Sequence, residues 1–116
     1  MEANPTIYNT NFLNMTSDAI DMVRKLNRPG LSVNLDVGTM VQNAESAEVL
    51  AGNASVISHI HFSEPYIKPL EKRGLHGEVS KILLDQNYEG YFSVEIADAN
   101  PVEEVIESIE YIAGLI

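Results

Sequence analysis

Residues 56–65 read Val-Ile-Ser-His-Ile-His-Phe-Ser-Glu-Pro, and this stretch decides the fold. Its apolar members Val56, Ile57, Ile60 and Phe62 mark a strand buried on both faces, the kind found in parallel sheets covered by helices. His59, His61 and Glu64 are costly to bury and add little to packing. In α/β folds, ligands bind at the carboxyl ends of parallel strands. A strand ending in two imidazoles and a carboxylate therefore reads as part of an active site.

Helix and strand signals alternate on either side of it. Upstream, Thr16 or Ser17 can cap a helix running to about Asn27, with Ala19, Ile20, Val23 and Leu26 on one face. Arg28-Pro29-Gly30 stops it, and Leu31 to Val37 follows as a strand. A short helix near Ser46 to Gly52 separates this strand from Val56 to Ser63. Downstream, Lys68, Lys72 and Arg73 read as a solvated basic loop. A helix around His76 to Gln86 comes next, with His76 at the surface and Val79, Ile82 and Leu83 inside. Tyr91 to Ile96 is the next strand, after a turn at Glu89-Gly90. The last helix has Asn100 as its cap, Pro101 in first position and a stripe of Val102, Val105, Ile106, Ile109 and Ile112. This order predicts a right-handed βαβ series on a parallel sheet.

The 116 residues form a single domain, 1–116, well short of the roughly 250 residues of a complete (β/α)8 barrel. There is no cysteine, so disulfides and thiolate metal sites are excluded, which fits a cytoplasmic setting. The N-terminus lacks the pattern of a signal peptide, and no apolar run reaches the length of a membrane span. A net charge of -10 argues against nucleic acid and anionic membranes as partners. It also means that an anionic substrate would need a metal or a local cation.

Strand alternation then sorts the side chains. Ser32, Asn34 and Asp36 share one face, opposite Val33, Leu35 and Val37. Ile57, His59 and His61 fall together, opposite Ile60 and Phe62, and Ser93 falls with Glu95. Asp36, His61 and Glu95 thus each stand at the carboxyl end of a separate strand, facing one space. Carboxylates and an imidazole brought together call for a cation, and a divalent metal is the simplest candidate.

Four motifs in order carry a resemblance. They are Glu2-Ala3-Asn4-Pro5 with Tyr8 and Asn11-Phe12; Leu35-Asp36-Val37-Gly38-Thr39-Met40; His59-Ile60-His61-Phe62-Ser63-Glu64-Pro65; and Tyr88-Glu89-Gly90-Tyr91-Phe92-Ser93-Val94-Glu95. Together they resemble the C-terminal half of the sugar phosphate isomerase/epimerase superfamily, the xylose-isomerase-like TIM barrels. That group includes ketose 3-epimerases and, more distantly, inosose dehydratases and endonuclease IV. The resemblance implies metal ligands Glu2, Asp36, His61 and Glu95, with Glu2 and Glu95 also serving as the acid-base pair. It implies a divalent metal, manganese, magnesium or cobalt, with zinc also compatible. Thr39 stands where ketose 3-epimerases have a substrate histidine, Ile67 beside Lys68 where they have an arginine, and Tyr8 where they have a glutamate. The substrate pocket is therefore its own, with Tyr8, His59, Glu64 and Lys68 as its candidate residues. Glu64 either binds a substrate hydroxyl or faces solvent.

The expected architecture is α/β, a partial (β/α) barrel made of the C-terminal half of a TIM barrel with three to four parallel strands. The expected activity is a metal-dependent isomerase or epimerase of a sugar or sugar phosphate, working by proton transfer through an enediolate. A lyase or dehydratase acting on a sugar-like polyol is the nearest alternative. A catalytically silent half-barrel whose role is association is the third reading. Open sheet edges predict either a homodimer or pairing with a missing N-terminal half-barrel.

Overall fold

The structure, a computed structural model, describes residues 1–97 and 101–116. Three parallel strands, β1 (Val33–Asp36), β2 (Ile57–Phe62) and β3 (Tyr91–Val94), lie side by side in that order. Helix α1 (Thr16–Leu26) precedes β1, α2 (Val37–Gln42) follows it directly, α3 (Gly74–Leu84) follows β2, and α4 (Val102–Ala113) follows β3. This is part of a (β/α) barrel, an open sheet with helices along one side. Among the described residues, no helix is long and apolar enough to cross a membrane.

The core lies between the sheet and its helices. Leu35, Ile60 and Phe62 meet Ile20 and Val23 of α1, Met40 of α2, and Val79 and Leu83 of α3, all buried. Leu50, from the 3-10 turn Ala47–Leu50, closes this core. That turn is the short helix expected near Ser46 to Gly52, of 3-10 form, and the Ser46 hydroxyl caps it by accepting from the Glu48 amide.

Helix α2 was not anticipated, and its origin is local. Asp36 ends β1 and accepts the Thr39 amide hydrogen on its side chain, so a helix begins at Val37, inside the expected strand. α1 starts at Thr16, where the Asp18 carboxylate accepts from the Met15 amide and Glu45 accepts from the Thr16 amide. It ends on Asn27 in the left-handed region, with φ of 42°.

Simple alternation misplaces Ile57. The β1–β2 register slips between Val33, opposite Ile57, and Asn34, opposite His59. Ser58 takes up the extra residue and turns its hydroxyl to Ser32, 2.6 Å away. Ile57 therefore sits beside Val33 in the core, and not on the face of His59 and His61.

Three further expectations are corrected. His76 is fully buried, because α3 begins at Gly74 and its first turn packs between Phe62 and Tyr111. Arg73 is not a solvated residue of a basic loop, for it pairs with the buried Glu64. The α4 stripe is buried only in part. Ile112 is covered, whereas Val102, Ile106 and Ile109 are exposed. Helix α4 begins at Val102 after Pro101, and the expected cap Asn100 lies outside the described residues.

Candidate metal centre

Asp36 and His61 are direct register partners at the carboxyl ends of β1 and β2. Glu2 joins them from a third chain segment, which forms a parallel bridge to Asn34. The Asn34 amide donates to the Met1 carbonyl at 2.7 Å, so residues 1–3 run beside β1 as a rudimentary strand. One donor atom each from Glu2, Asp36 and His61 lies within 4.8 Å of the other two. That spacing is close to the span of donors around one cation with ligands at about 2.1 Å.

Neighbouring groups hold these side chains. Asp36 accepts from the Thr39 amide on one oxygen and from the Ser63 hydroxyl, at 3.1 Å, on the other. The Ser63 oxygen in turn accepts from the Gly38 amide at 2.9 Å. A Cβ at Gly38 would lie 2.7 Å from that oxygen, so only glycine permits the contact. Glu2 accepts from the Asn34 side-chain amide at 2.7 Å. Sequence reasoning passed over Asn34 and Ser63 as ligand supports. Their signal was position, Asn34 two residues before Asp36 on the same face and Ser63 two residues after His61.

Glu95 stands one residue beyond β3, its amide donating to the Phe62 carbonyl. Its carboxylate meets His61 Nδ1 at 3.3 Å, outside the three-donor cluster, and its side chain is 41% exposed. His59 packs edge-on against His61 and bonds Ser93 at 2.8 Å. Ser93 donates its own hydrogen to the Ile60 carbonyl, so His59 Nε2–H is the donor to Ser93. Burial lowers the pKa of His59, and His61 beside it adds to the effect.

The remaining candidates lie on the loops beyond β2 and Glu2. The Tyr8 hydroxyl accepts from the Tyr66 amide at 2.6 Å, and Lys68 stands over the Tyr66 ring. Glu64 is buried, holds Arg73 through two bonds of 2.7 Å and accepts from the Glu71 amide. Its carboxylate is engaged inside the protein, as an anchor for residues 65–73. The guanidinium of Arg73 is held charged above its ordinary range by that bond.

Two carboxylates and one imidazole suit manganese, magnesium, cobalt or zinc. Burial pushes the Glu2 carboxyl above the usual carboxylate range; the Asn34 bond opposes this, and the charges of Asp36 and Glu95 add to it. Negative charge is thus crowded there without full compensation, which a divalent cation would supply. The side-chain oxygen of Asn34, beside this group, is buried without a hydrogen-bond partner among the described residues. The donor set and its electrostatics fit a divalent metal.

The xylose isomerase-like TIM barrel family matches over residues 6–115, and the chain belongs to that family. None of the curated proteins matches by sequence. Among solved structures, 3-keto-D-glucoside 4-epimerase YcjR from E. coli in its apo form is similar at 18% identity and a TM-score of 0.73. The likeness covers 90% of this chain and 41% of that one. D-psicose 3-epimerase in the presence of D-fructose is similar at 15% identity and a TM-score of 0.71, over 98% of this chain and 46% of that one. D-psicose 3-epimerase with D-tagatose, from Clostridium cellulolyticum H10, is similar at 18% identity and a TM-score of 0.70. There the coverage is 98% of this chain and 40% of that one. At such identities the likeness is one of fold, and the chain spans less than half the length of each of these structures.

Proposed function

We propose that this member of the xylose isomerase-like TIM barrel family carries the metal-holding half of a sugar isomerase or epimerase site. The observation that carries the proposal is the convergence of Glu2, Asp36 and His61 at the carboxyl ends of parallel strands. Two of the similar folds belong to proteins named as D-psicose 3-epimerases and one to a 3-keto-D-glucoside 4-epimerase, which favours a sugar or sugar phosphate as substrate.

Glu2, Asp36, His61 and Glu95 would hold a divalent cation, manganese, magnesium or cobalt, with zinc also compatible. Bound there, the cation would polarise the substrate carbonyl and ease the charge that develops on its oxygen. The chain's own carboxylates move the proton. Glu95, exposed at the rim and beside His61, takes it from the carbon next to the carbonyl, and the substrate passes through an enediolate. Glu2, in the three-donor cluster beside Asp36, returns the proton. Tyr8, His59 and Lys68 bind the substrate at the same end of the sheet, and Glu64 shapes the loop that carries Lys68. A dehydratase of a sugar-like polyol would use the same carboxylates, and a silent half-barrel would use none of them.

The open edge at β3 supports association, with a second copy as a homodimer or with an N-terminal half-barrel. The setting is cytoplasmic, without nucleic acid or membrane as partner. Deuterium exchange from solvent into a panel of ketoses and aldoses tests the chemistry on the manganese-loaded protein, alone and with its assembly partner. Exchange is expected, and Glu95→Gln should abolish it. Undiminished exchange in the variant removes Glu95 from the mechanism. No exchange by the loaded assembly, in a protein that binds manganese, leaves the silent reading.

A further inference from the structure

Thr39 is 2% exposed and lies in the first turn of α2. A threonine in a helix commonly turns its hydroxyl to a carbonyl three or four residues back. Here the hydroxyl leaves its own helix and donates to the carbonyl of Ala3 at 3.0 Å, across 36 positions of sequence. The same residue's backbone amide donates to Asp36. One residue thus grips both carboxylate carriers, Asp36 directly and Glu2 through the adjoining Ala3.

The two carriers need different amounts of help. Asp36 ends a regular strand, and the Thr39 amide and the Ser63 hydroxyl hold its two oxygens. Glu2 lies on a segment with a single parallel bridge, held by the Met1 ammonium on the Ser32 carbonyl at 2.6 Å, the Asn34 amide on the Met1 carbonyl at 2.7 Å, and the Asn34 side chain. Those bonds lie at Glu2 or before it, and beyond Ala3 the segment is tied again at Asn4, whose amide donates to the Leu13 carbonyl and whose own carbonyl accepts from the Thr10 hydroxyl and the Asn14 side chain. After Ala3 the chain leaves the sheet for a 3-10 turn at Thr6–Tyr8. At Ala3 itself the Thr39 hydroxyl is the side-chain bond that joins this segment to the first turn of α2, and losing it would loosen the Glu2 carboxylate, whose charge is repelled by Asp36.

We infer that Thr39 is a positioning residue, which locks the segment carrying Glu2 against Asp36 so that the two carboxylates can share one divalent cation. The inference rests on the metal-holding reading above, and its test separates the two. Thr39→Val keeps the shape and the backbone amide and removes only the hydroxyl, whereas Thr39→Ser keeps the hydroxyl. Amide hydrogen exchange in the chelator-treated chain reads the lock at Asn34, whose amide is bonded to Met1. Calorimetric titration with manganese alone reads its consequence. Thr39→Val should speed exchange at Asn34 and weaken manganese binding by about tenfold, the usual effect of losing a support behind a ligand. Thr39→Ser should restore both toward the parent values. Parent-like exchange in Thr39→Val overturns the lock. Faster exchange with unchanged affinity reduces it to a tie within the fold and overturns the positioning role. If the parent chain binds no manganese, the metal reading falls and the positioning role with it, and the exchange data still show whether the tie exists.

Discussion

Between β1 and β2, the side chains aimed at the helices are all buried. Val33, Leu35, Ile57, Ile60 and Phe62 sit against α1, α2 and α3. Along β3 and α4 the packing is thin. Tyr91 is 76% exposed, Ile109 is 51% exposed, and a groove of about 350 Å³ opens between Phe92, Val94, Ile112 and Ile116. The candidate site follows the same division. Asp36 and His61 are register partners on the well-packed side, whereas Glu95 reaches His61 from the thin side and stays outside the three-donor cluster. Three of the four candidate ligands, Glu2, Asp36 and His61, therefore stand beside a finished core, and Glu95 alone stands on the thin side.

The largest effect expected from this difference is on stability. Phe62 is fully buried and touches His76 and Phe92, so Phe62→Ala should cost about 3–5 kcal/mol. Ile109→Ala, on the groove, should cost about 0.5 kcal/mol, as surface changes do. Urea unfolding of both variants measures this. Equal losses would mean that the groove is already filled in solution, and the contrast between the two regions would disappear.

How much of this was legible in the sequence varied in the same way. β2 could be read directly, because its apolar run and terminal histidines are local signals, and Asp36 and Glu95 followed from strand alternation. Ile57 was misplaced because a bulge at Ser58 depends on pairing with β1, which no single strand reveals. Helix α2 was hidden by the double role of Asp36, which reads as the end of a strand and serves as the cap of a helix. The partnership of Glu64 with Arg73 joins residues whose loop gives no periodic signal, so their charges looked like solvent-facing ones. The α4 stripe was legible as amphipathic, but a stripe does not say what it packs against, and most of it faces outward here.

A smaller effect should appear in assembly. If a second copy covers the thin side, the chain is a dimer at micromolar concentration, and Ile106→Glu with Ile109→Glu dissociates it by placing charges in the apolar contact. Light scattering decides between the outcomes. A parent chain that is a stable, well-folded monomer would mean that the thin side needs no second copy and would overturn the expectation that open edges drive association. A variant that remains dimeric would move the interface away from α4.

The smallest effect belongs to His76, which sits where the two regions meet. Its ring contacts Phe62 of β2 at 5.5 Å between centroids and Tyr111 of α4 at 5.7 Å. Neither ring nitrogen has a hydrogen-bond partner among the described residues, and burial holds its pKa below the ordinary histidine value. The nearby charge of Glu64 opposes that shift and the charge of Arg73 adds to it. The native chain therefore keeps this imidazole neutral, while the unfolded chain protonates it below about pH 6.5. Unfolding takes up a proton in that window, so stability is lost as pH falls from the unfolded value toward the native one, and is unaffected above it. Glu2 works in the opposite sense and at lower pH, since its raised native pKa favours the folded state on protonation. His59 shares the sign of His76, but it lies near the surface and away from α4. Unfolding midpoints at pH 7.5 and 5.5 should thus fall for the parent chain, by less than the Phe62→Ala loss, and fall less for His76→Leu. An equal drop in both chains would place the proton uptake elsewhere. It would also mean that the junction between the two regions opens to water, in which case the thin packing of α4 extends as far as β2.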